Sequence, residues 1–312
     1  MHPAAQPGLQ QLLGDGRFVP HAASVPLPHA VSTDASRCRV ADARHQGLRP
    51  DAKSPYGDPV KLSELLYRPY ERSLRRQLQG KPVPKHVAVM TDGNRRWARA
   101  AGSDNSDGYR AGADKMIEFL AWCEDAGVPT VTLYVLSTEN LRRSEGDLAP
   151  LFEAIDALAV RLRDLRRWRV IAVGALDLLP EPTAELLREV ATDTADHGGL
   201  TVNIAVGYGG RREIADAVRS LLLEHAERGT TLEELADLLD VEHLSAHLYT
   251  KGQPDPDLVI RTSGEQRLSG FLMWQSVYSE FYFCEALWPD FRRVDFLRAL
   301  RSFGLRERRY GR

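Results

Sequence analysis

The chain has 312 residues, of which 43% are hydrophobic and 27% are charged, a composition typical of one large globular domain or two small ones. Its formal net charge of −2 argues against a general nucleic-acid-binding protein, because no basic excess is available to neutralise phosphates along a duplex. The 3 cysteines are too few and too scattered to form a disulfide framework or a zinc site.

The chain begins with residues 1–58, which are rich in Pro, Ala, His, Gly and Ser and show no sustained periodicity, so we predict a disordered extension. Over residues 60–80, leucines recur at helical spacing with charged residues between them. This pattern predicts an amphipathic helix that packs on the body of the domain; a helix that lies on a membrane surface is the alternative. No stretch approaches the ~18 apolar residues of a membrane span, so we expect a cytoplasmic protein whose membrane contact, where it occurs, is peripheral.

After two prolines the chain alternates between short apolar strands and amphipathic helices. The predicted strands cover residues 86–90, 131–136, 170–173, 201–206 and 258–260. The predicted helices include residues 116–123 and cover residues 147–165, 181–196, 211–228, 232–248 and 293–304. This alternation indicates an α/β domain over residues 59–312, with a parallel sheet covered by helices on both faces.

Polar segments follow four of the predicted strands directly. They are Asp92-Gly93-Asn94, Ser137-Thr138-Glu139-Asn140, Gly207-Tyr208-Gly209-Gly210-Arg211-Arg212 and Arg261-Thr262-Ser263-Gly264-Glu265. In open sheets of this type ligands bind beyond the carboxyl ends of the strands. We therefore expect the four segments to converge on one site.

The first of these segments combines an acid, a glycine and an amide with the start of an arginine-rich helix. A helix N-terminus offers unpaired N–H groups and a partial positive charge, so it binds phosphate readily, and Arg96 could add a bidentate contact. Asp92 has the opposite sign and suits a phosphate only if a cation stands between them, which implies Mg²⁺. The alternative is a capped turn without a ligand, and Trp97 by itself indicates core packing.

Arg261, Glu265 and Arg267 form a second charged cluster close to Gly264 and Gly270. Two arginines beside glycines at a strand end indicate a diphosphate cradle, with a surface charge cluster as the alternative. Further along, Glu280 lies in an aromatic segment, where a buried carboxylate needs a partner or a metal. A salt bridge is the ordinary explanation for such an acid.

Several enzyme classes lack their motifs in this chain. There is no G-x-x-x-x-G-K-[ST] segment, no G-x-G-x-x-G after the first strand and no G-x-S-x-G, which argues against P-loop, dinucleotide-binding and α/β-hydrolase chemistry. His243 and His247 have metal-ligand spacing, but no acid or third ligand accompanies them.

From about Pro84 to the end, the chain resembles the cis-prenyltransferase family, which includes undecaprenyl and short-chain Z-isoprenyl diphosphate synthases. The blocks that carry the resemblance are His86 to Ala98, Thr132 to Asn140, Asn203 to Arg211, Asp257 to Ser269, Trp274 to Glu280 and Leu287 to Phe291. The resemblance implies a parallel sheet of about six strands with an apolar substrate tunnel. It also implies condensation of isopentenyl diphosphate with an allylic diphosphate. The DDxxD motifs of trans-prenyl synthases do not occur.

The resemblance assigns roles to individual residues. Asp92 would hold Mg²⁺, with Glu280 as a second metal contact. The implied catalytic residues are Asp92, Asn94, Ser137 and Asn140. The implied substrate contacts are Gly93, Arg95, Arg96, Trp97, Val135 and Arg143 on the allylic side, and Arg261, Arg267 and Ser269 for isopentenyl diphosphate. Arg309-Tyr310-Gly311 matches an R-x-G motif that reaches the neighbouring subunit's active site, so Arg309 and Gly311 imply a homodimer.

Some positions depart from the usual family pattern. Arg95 stands where glycine is common, Asn105 and Tyr109 alter the segment 103–109 that closes over substrate, and Val135 stands where long-chain synthases often have alanine. These departures are similar to those of actinobacterial short-chain members. A bulkier Val135 would block elongation, so we expect a C15 product such as (2Z,6E)-farnesyl diphosphate from geranyl diphosphate. A decaprenyl or undecaprenyl synthase and a non-catalytic lipid-binding subunit are the alternatives.

Overall fold

The computed structural model describes residues 59–305, with side chains from Tyr67 onward. The extension predicted over residues 1–58 and the subunit contacts predicted for Arg309 and Gly311 lie outside the described residues. Within the described part, every helix is too short or too polar to span a bilayer.

Six strands form the described sheet: β1 His86–Met90, β2 Thr130–Ser137, β3 Arg169–Val173, β4 Thr201–Tyr208, β5 Leu258–Arg261 and β6 Glu280–Phe283. The α-helices of residues 59–305 are α1 Pro59–Leu78, α2 Asn94–Ala101, α3 Asn105–Asp125, α4 Glu145–Leu165, α5 Glu181–Asp193, α6 Gly210–Glu227, α7 Leu232–Leu238, α8 Val241–Ser245 and α9 Arg293–Leu305. Strands and helices thus alternate as the sequence predicts.

All six strands run parallel, in the order β3-β4-β2-β1-β5-β6. This confirms the predicted fold class. The chain starts the sheet at β1, adds β2 beside it, places β3 at the outer edge and inserts β4 between β2 and β3. It then returns to the other side of β1 with β5 and β6. The order therefore changes direction between β1 and β5, and the crevice beyond the carboxyl ends of these strands is the place where such folds bind ligands.

The side chains of β1 show why this sheet needs helices on both faces. All five residues of the strand are buried. Val87 and Val89 join a core cluster with Phe119 and Trp288, whereas Ala88 and Met90 join a cluster with other residues on the opposite face. Because alternate strand residues point to opposite faces, a continuous apolar run requires cover on both sides.

Two boundaries differ from the sequence-based predictions. Residues 232–248 form two short helices, α7 and α8, because Asp240 interrupts the first and caps the second by accepting a hydrogen bond from the backbone N–H of His243. The segment 103–109, which closes over substrate as a loop in the family that the chain resembles, is helical from Asn105 onward and forms the start of α3. Asp104 precedes this helix in extended conformation, as an N-terminal boundary residue does.

Helix α1 packs on the last helix, α9. Leu74 is fully buried and forms a small cluster with Val294 and Leu297 of α9. The rings of Tyr67 and Tyr70 lie under the guanidinium groups of Arg292 and Arg298, with centroid distances of 4.6 Å and 5.1 Å. These cation–π contacts add to the apolar packing that holds α1 against α9.

A buried polar network joins the amino ends of three strands. The Nδ1 atom of His86 lies 2.7 Å from the carbonyl oxygen of Pro254, and its Nε2 atom lies 2.7 Å from the hydroxyl of Thr132. Asn203 donates to the same hydroxyl oxygen at 2.9 Å. Since only an N–H can bind the carbonyl, Nδ1 carries the proton and Nε2 accepts from Thr132. Burial lowers the pKa of His86 to about 4.

This shift predicts a loss of stability in mild acid. The folded protein keeps His86 neutral, whereas in the unfolded chain this side chain binds a proton near pH 6.5. The contribution of His86 to the free energy of unfolding is therefore present above pH 6.5 and is lost as the pH falls towards 4. We expect the free energy of unfolding to drop by about 2 kcal/mol from this group between pH 7 and pH 5. Urea titrations at both pH values measure it. His86→Gln, which keeps a donor and an acceptor, should show a smaller drop than the wild type; equal drops would contradict the assignment.

Candidate active site

The carboxyl ends of the strands open into a pocket of about 830 Å³. The first and second strand-end segments contribute Asp92, Gly93, Asn94, Arg95, Arg96, Val135, Ser137, Thr138, Asn140 and Arg143. The third and fourth contribute Gly209, Gly210, Arg211, Arg212, Arg261, Glu265, Arg267, Ser269 and Gly270. The four segments therefore line one cavity.

The segment after β1 is held tightly at the centre of this edge. The backbone carbonyl of Asp92 accepts hydrogen bonds from the N–H of Trp288 at 2.9 Å and from the hydroxyl of Thr262 at 2.8 Å. Gly93 has a φ of 115°, and a Cβ there would come within 2.9 Å of the Leu287 side chain. Only glycine fits this conformation without strain, which explains why glycine separates the acid from the start of α2.

Arg261 is the most buried charged group of the pocket, at 4% exposure. Its Nε and Nη2 atoms lie 3.0 Å and 2.9 Å from Oδ2 of Asp92. The remaining Nη1 atom donates to the backbone carbonyl of Arg267 and to the hydroxyl of Ser269, the latter at 3.3 Å. The guanidinium fork thus fixes the positions of the acid and of the loop after β5, and it brings a permanent positive charge to the floor of the pocket.

A more exposed charge cluster lies beside this pair. The carboxylate of Glu265 stands between two guanidinium groups: it contacts Arg267, and its distance to Arg96 Nη2 is 3.7 Å. The side chains of Arg96 and Arg267 are 50% and 65% exposed, so both are free to turn towards a ligand. Exposed arginines at the rim of an anion site are well suited to bind phosphate groups bidentately.

The opposite wall of the pocket is formed by the segment after β2 and by α3. The hydroxyl of Ser137 accepts a hydrogen bond from the backbone N–H of Asn140 at 3.1 Å. Burial and the neighbouring Arg95 lower the pKa of Arg143, and burial raises the pKa of Tyr109. Two guanidinium groups therefore stand close together on this wall, an arrangement that an anion would stabilise.

Asn94 lies between these two walls at the first position of α2. Its amide nitrogen donates to the carbonyl of Thr91 at 3.4 Å, while its Oδ1 atom is buried without a hydrogen-bond partner. A Cβ on Gly112 of α3 would come within 2.6 Å of that oxygen. An unsatisfied buried oxygen in a pocket usually marks a place that a ligand, an ion or water completes.

Comparisons with known proteins agree with this geometry. Residues 90–311 match the family model described as "Putative undecaprenyl diphosphate synthase". The chain is 62% identical over 247 residues to (2Z,6E)-farnesyl diphosphate synthase of Thermobifida fusca (strain YX), covering 79% of this chain and 97% of the relative. It is 55% identical over 258 residues to the enzyme of the same name from Mycobacterium tuberculosis (strain ATCC 25618 / H37Rv), covering 81% and 98%.

A solved structure extends the comparison to three dimensions. The crystal structure of lavandulyl diphosphate synthase from Lavandula x intermedia, in complex with dimethylallyl diphosphate, matches with a TM-score of 0.69 and 31% identity. The match covers 74% of this chain and 99% of that one. The family model spans most of the chain, and the relatives are matched over nearly their whole length. The chain belongs to the cis-prenyltransferase family.

Two residues predicted for the cis-prenyltransferase site are not in the pocket of this chain. Glu280 is the first residue of β6 and pairs with Leu258 at the start of β5, whereas Arg261 beside Asp92 is at the end of β5. Glu280 and Asp92 therefore lie at opposite ends of their strands, and Glu280 is not among the residues that line the pocket. Trp97 does not line the pocket either: its indole N–H donates to Asp290 at 2.8 Å, on the outer side of α2.

The sequence predicts that the segment 207–212 lies at the site, but it assigns none of the residues of this segment a role. Arg211 and Arg212 line the pocket from the start of α6, and Gly209 is packed so closely that a Cβ would come within 2.4 Å of the Thr138 hydroxyl. Behind them Glu213 is fully buried and accepts hydrogen bonds from Tyr208, Gln275 and the backbone N–H of Tyr249. The sequence feature that indicates this wall of the pocket is the pair Gly209-Gly210 followed by Arg211 and Arg212 at the end of β4.

Proposed function

We propose that the protein is a short-chain Z-isoprenyl diphosphate synthase that condenses isopentenyl diphosphate with geranyl diphosphate to (2Z,6E)-farnesyl diphosphate. The observation that carries the proposal is one pocket with a charged floor, where Asp92 pairs with Arg261, and an apolar wall that includes Val135 and Leu151. A prenyl diphosphate has this same division between a polyanionic head and an apolar chain. The two relatives named as (2Z,6E)-farnesyl diphosphate synthases support the product.

The distribution of arginines supports two separate diphosphate sites. Arg261, Arg267 and the hydroxyl of Ser269 lie together at the loop after β5, and we assign them to isopentenyl diphosphate. The start of α2, where backbone N–H groups have no partner within the helix, lines the pocket together with Arg143, and we assign this wall to the allylic diphosphate. Asp92 lies between the two sites because it is bound to Arg261 and precedes α2 directly.

The donor set around Asp92 fits magnesium. Mg²⁺ is bound through one or two carboxylates together with substrate phosphates and water, and Asp92 supplies a carboxylate at the edge of the pocket. The unpartnered Oδ1 atom of Asn94 adds a neutral oxygen nearby. When bound, the ion would stabilise the negative charge that develops on the departing diphosphate. In the described part of the chain no three acidic, histidine or cysteine side chains form a cluster suited to a metal.

The chain's own residues would then position the reaction. The arginines on both walls hold the two diphosphates so that the double bond of isopentenyl diphosphate faces the allylic carbon. A carbon–carbon bond forms there as the bond from that carbon to its diphosphate breaks, and a proton leaves isopentenyl diphosphate to give the Z double bond. We assign acceptance of this proton to a diphosphate oxygen, with Asn94 and Ser137 as polar neighbours that orient it. The buried guanidinium of Arg261 costs no reorganisation during the step, since its contacts are already made.

A direct assay tests the proposed function. Purified protein is incubated with labelled isopentenyl diphosphate and either geranyl or farnesyl diphosphate, with Mg²⁺ or with a chelator. We expect incorporation with geranyl diphosphate, dependence on Mg²⁺ and a C15 product. Incorporation into decaprenyl-sized products would establish a long-chain synthase instead. The absence of incorporation with either primer would contradict the proposed catalysis altogether.

Val135 is the residue that we expect to limit product length. It lines the pocket and packs against the large core cluster. Forcing a longer chain against this side chain overfills the wall at a cost of about 1–3 kcal/mol, so Val135→Ala should shift products beyond C15. Chromatography of the dephosphorylated products measures the shift. Val131→Ala is the matched control, because Val131 is in the same strand and the same core cluster but does not line the pocket, and an unchanged distribution in V135A would contradict the assignment.

We also propose a homodimer. Val277 and Tyr278 are 67% and 74% exposed, and they precede β6 at the edge of the sheet. Exposed apolar side chains beside a sheet edge are typical of an interface. Sedimentation measures the assembly, and a monomer at micromolar concentration would contradict the dimer.

We place the enzyme in the cytoplasm, with peripheral contact to membranes. Cys123 and Cys284 are free thiols, as in a reducing compartment. Helix α1 presents exposed arginines along one side: Arg68, Arg72, Arg75 and Arg76. Anionic lipid attracts such a surface by about 1 kcal/mol per side chain. Co-sedimentation should therefore be stronger with phosphatidylglycerol vesicles than with phosphatidylcholine vesicles, and equal binding would contradict the contact.

A further inference from the structure

Three helices begin around the side chain of Asp147. Helix α2 begins at Asn94, α3 at Asn105 and α4 at Glu145. Asp147, in the first turn of α4, accepts a hydrogen bond from the amide of Asn105 at 2.9 Å. Its other carboxylate oxygen lies 3.7 Å from Nη1 of Arg95. One carboxylate thus joins the starts of all three helices on the allylic side of the pocket.

The charges on this wall explain why a carboxylate is needed there. Arg95 and Arg143 both line the pocket, and burial together with the positive charge of Arg95 lowers the pKa of Arg143. Asp147 acts on Arg143 with the opposite sign and pairs with Arg95 directly. Arg95 is 42% exposed, so without Asp147 its flexible side chain would turn away from Arg143 into solvent.

We propose that Asp147 is a positioning residue that holds Arg95 at the pocket wall, where Arg95 binds the allylic diphosphate. The proposal rests on the proposed function, since it assigns that wall to the allylic substrate. Asn105 fixes the carboxylate from the α3 side, so that Asp147 presents its second oxygen to Arg95 rather than rotating freely. The starting position of Arg95 is thereby set before the substrate arrives, which lowers the entropy cost of binding.

A structural role alone predicts different behaviour. Asp114 of α3 pairs with Arg161 of α4, so this second ion pair joins the same two helices outside the pocket. Asp114 and Arg161 are 63% and 47% exposed, and exposed pairs of this kind contribute little to stability. Asp114→Asn is therefore the matched control for Asp147→Asn, because both changes remove one charge between α3 and α4.

The experiment compares wild type, D147N, D114N, R95A and the double variant R95A/D147N in steady-state assays with Mg²⁺. We expect D147N to raise KM for geranyl diphosphate about fivefold, with kcat and KM for isopentenyl diphosphate within about twofold. D114N should match wild type, and D147E should restore most of the affinity. In the R95A background, D147N should add no further change, because its effect passes through Arg95.

Other outcomes would contradict the positioning role of Asp147. A lowered KM for geranyl diphosphate in D147N would show that the carboxylate repels the substrate, and would overturn the proposal. Equal changes for both substrates, the same change in D114N, or a full additional effect in R95A would show a structural role instead. Calorimetric binding of inorganic pyrophosphate with Mg²⁺ to wild type and D147N gives a second readout that needs no turnover. An inactive wild type would contradict the proposed function, while the pyrophosphate comparison would still test the role of Asp147.

Discussion

Replacing Asp92 by asparagine is expected to lower kcat about 100- to 1000-fold, the usual cost of removing one preorganised electrostatic group at a reacting centre. Asparagine keeps the size of the side chain and one oxygen, but it removes the negative charge that fits a hard cation. It also leaves Arg261, which is 4% exposed, without its carboxylate partner. Initial rates at saturating substrates over a range of Mg²⁺ concentrations measure the effect.

Asp290→Asn is the matched control for this prediction. Asp290 is an exposed carboxylate that accepts a hydrogen bond from Trp97, on the side of α2 that faces away from the pocket. Its replacement should leave kcat within about twofold of wild type, because no ligand or metal site includes it. A D92N enzyme that keeps more than a tenth of the wild-type kcat at every Mg²⁺ concentration would show that Asp92 is not the metal-binding acid.

The fold could be predicted from the sequence wherever burial leaves a simple pattern. Strands such as β1 and β4 are buried along almost their whole length, so their apolar runs mark them clearly. The strand β6 is different, because all its residues are half-buried or exposed at the edge of the sheet. An edge strand has no continuous apolar run, and a mixed aromatic and acidic segment does not distinguish it from a loop.

The site could be predicted to the extent that it depends on the parallel sheet. Asp92, Ser137 and Arg261 lie at strand ends, and all parallel strands end at the same edge, so their convergence follows from topology. Glu280 shows the limit of that argument. It is the first residue of β6, at the amino end of the strand, and residue type alone does not tell which end of a strand a polar residue occupies.

Contacts between helix starts lie beyond what the sequence pattern reveals. Arg95 and Asn105 are visible as departures from the family pattern, yet nothing in their spacing indicates that both contact Asp147. That contact depends on how α2, α3 and α4 pack around the pocket. Trp97 is a similar case: the family resemblance implies a substrate contact, but the structure shows its indole N–H bound to Asp290 outside the pocket.

Replacing Arg261 by lysine is expected to lower kcat/KM for isopentenyl diphosphate about 100-fold. Lysine keeps the charge but not the planar fork, so it cannot hold Asp92 through two nitrogens while also bonding the Arg267 carbonyl and the Ser269 hydroxyl. The floor of the pocket would lose its fixed geometry, and Asp92 would lose a partner at 2.9 Å. Steady-state rates with varied isopentenyl diphosphate measure this loss.

Arg267→Lys separates the role of burial from the role of charge. Arg267 belongs to the same cluster, but its side chain is 65% exposed and pairs only with Glu265 among the salt bridges of the described residues. A flexible lysine can replace such a contact, so R267K should lose less than about tenfold in kcat/KM. The free energy of unfolding should also fall by about 1–2 kcal/mol in R261K and hardly in R267K, because only the former disturbs a buried, fully bonded guanidinium. Equal losses in the two variants would mean that the pocket uses Arg261 only as a positive charge and that its bonded fork has no separate role.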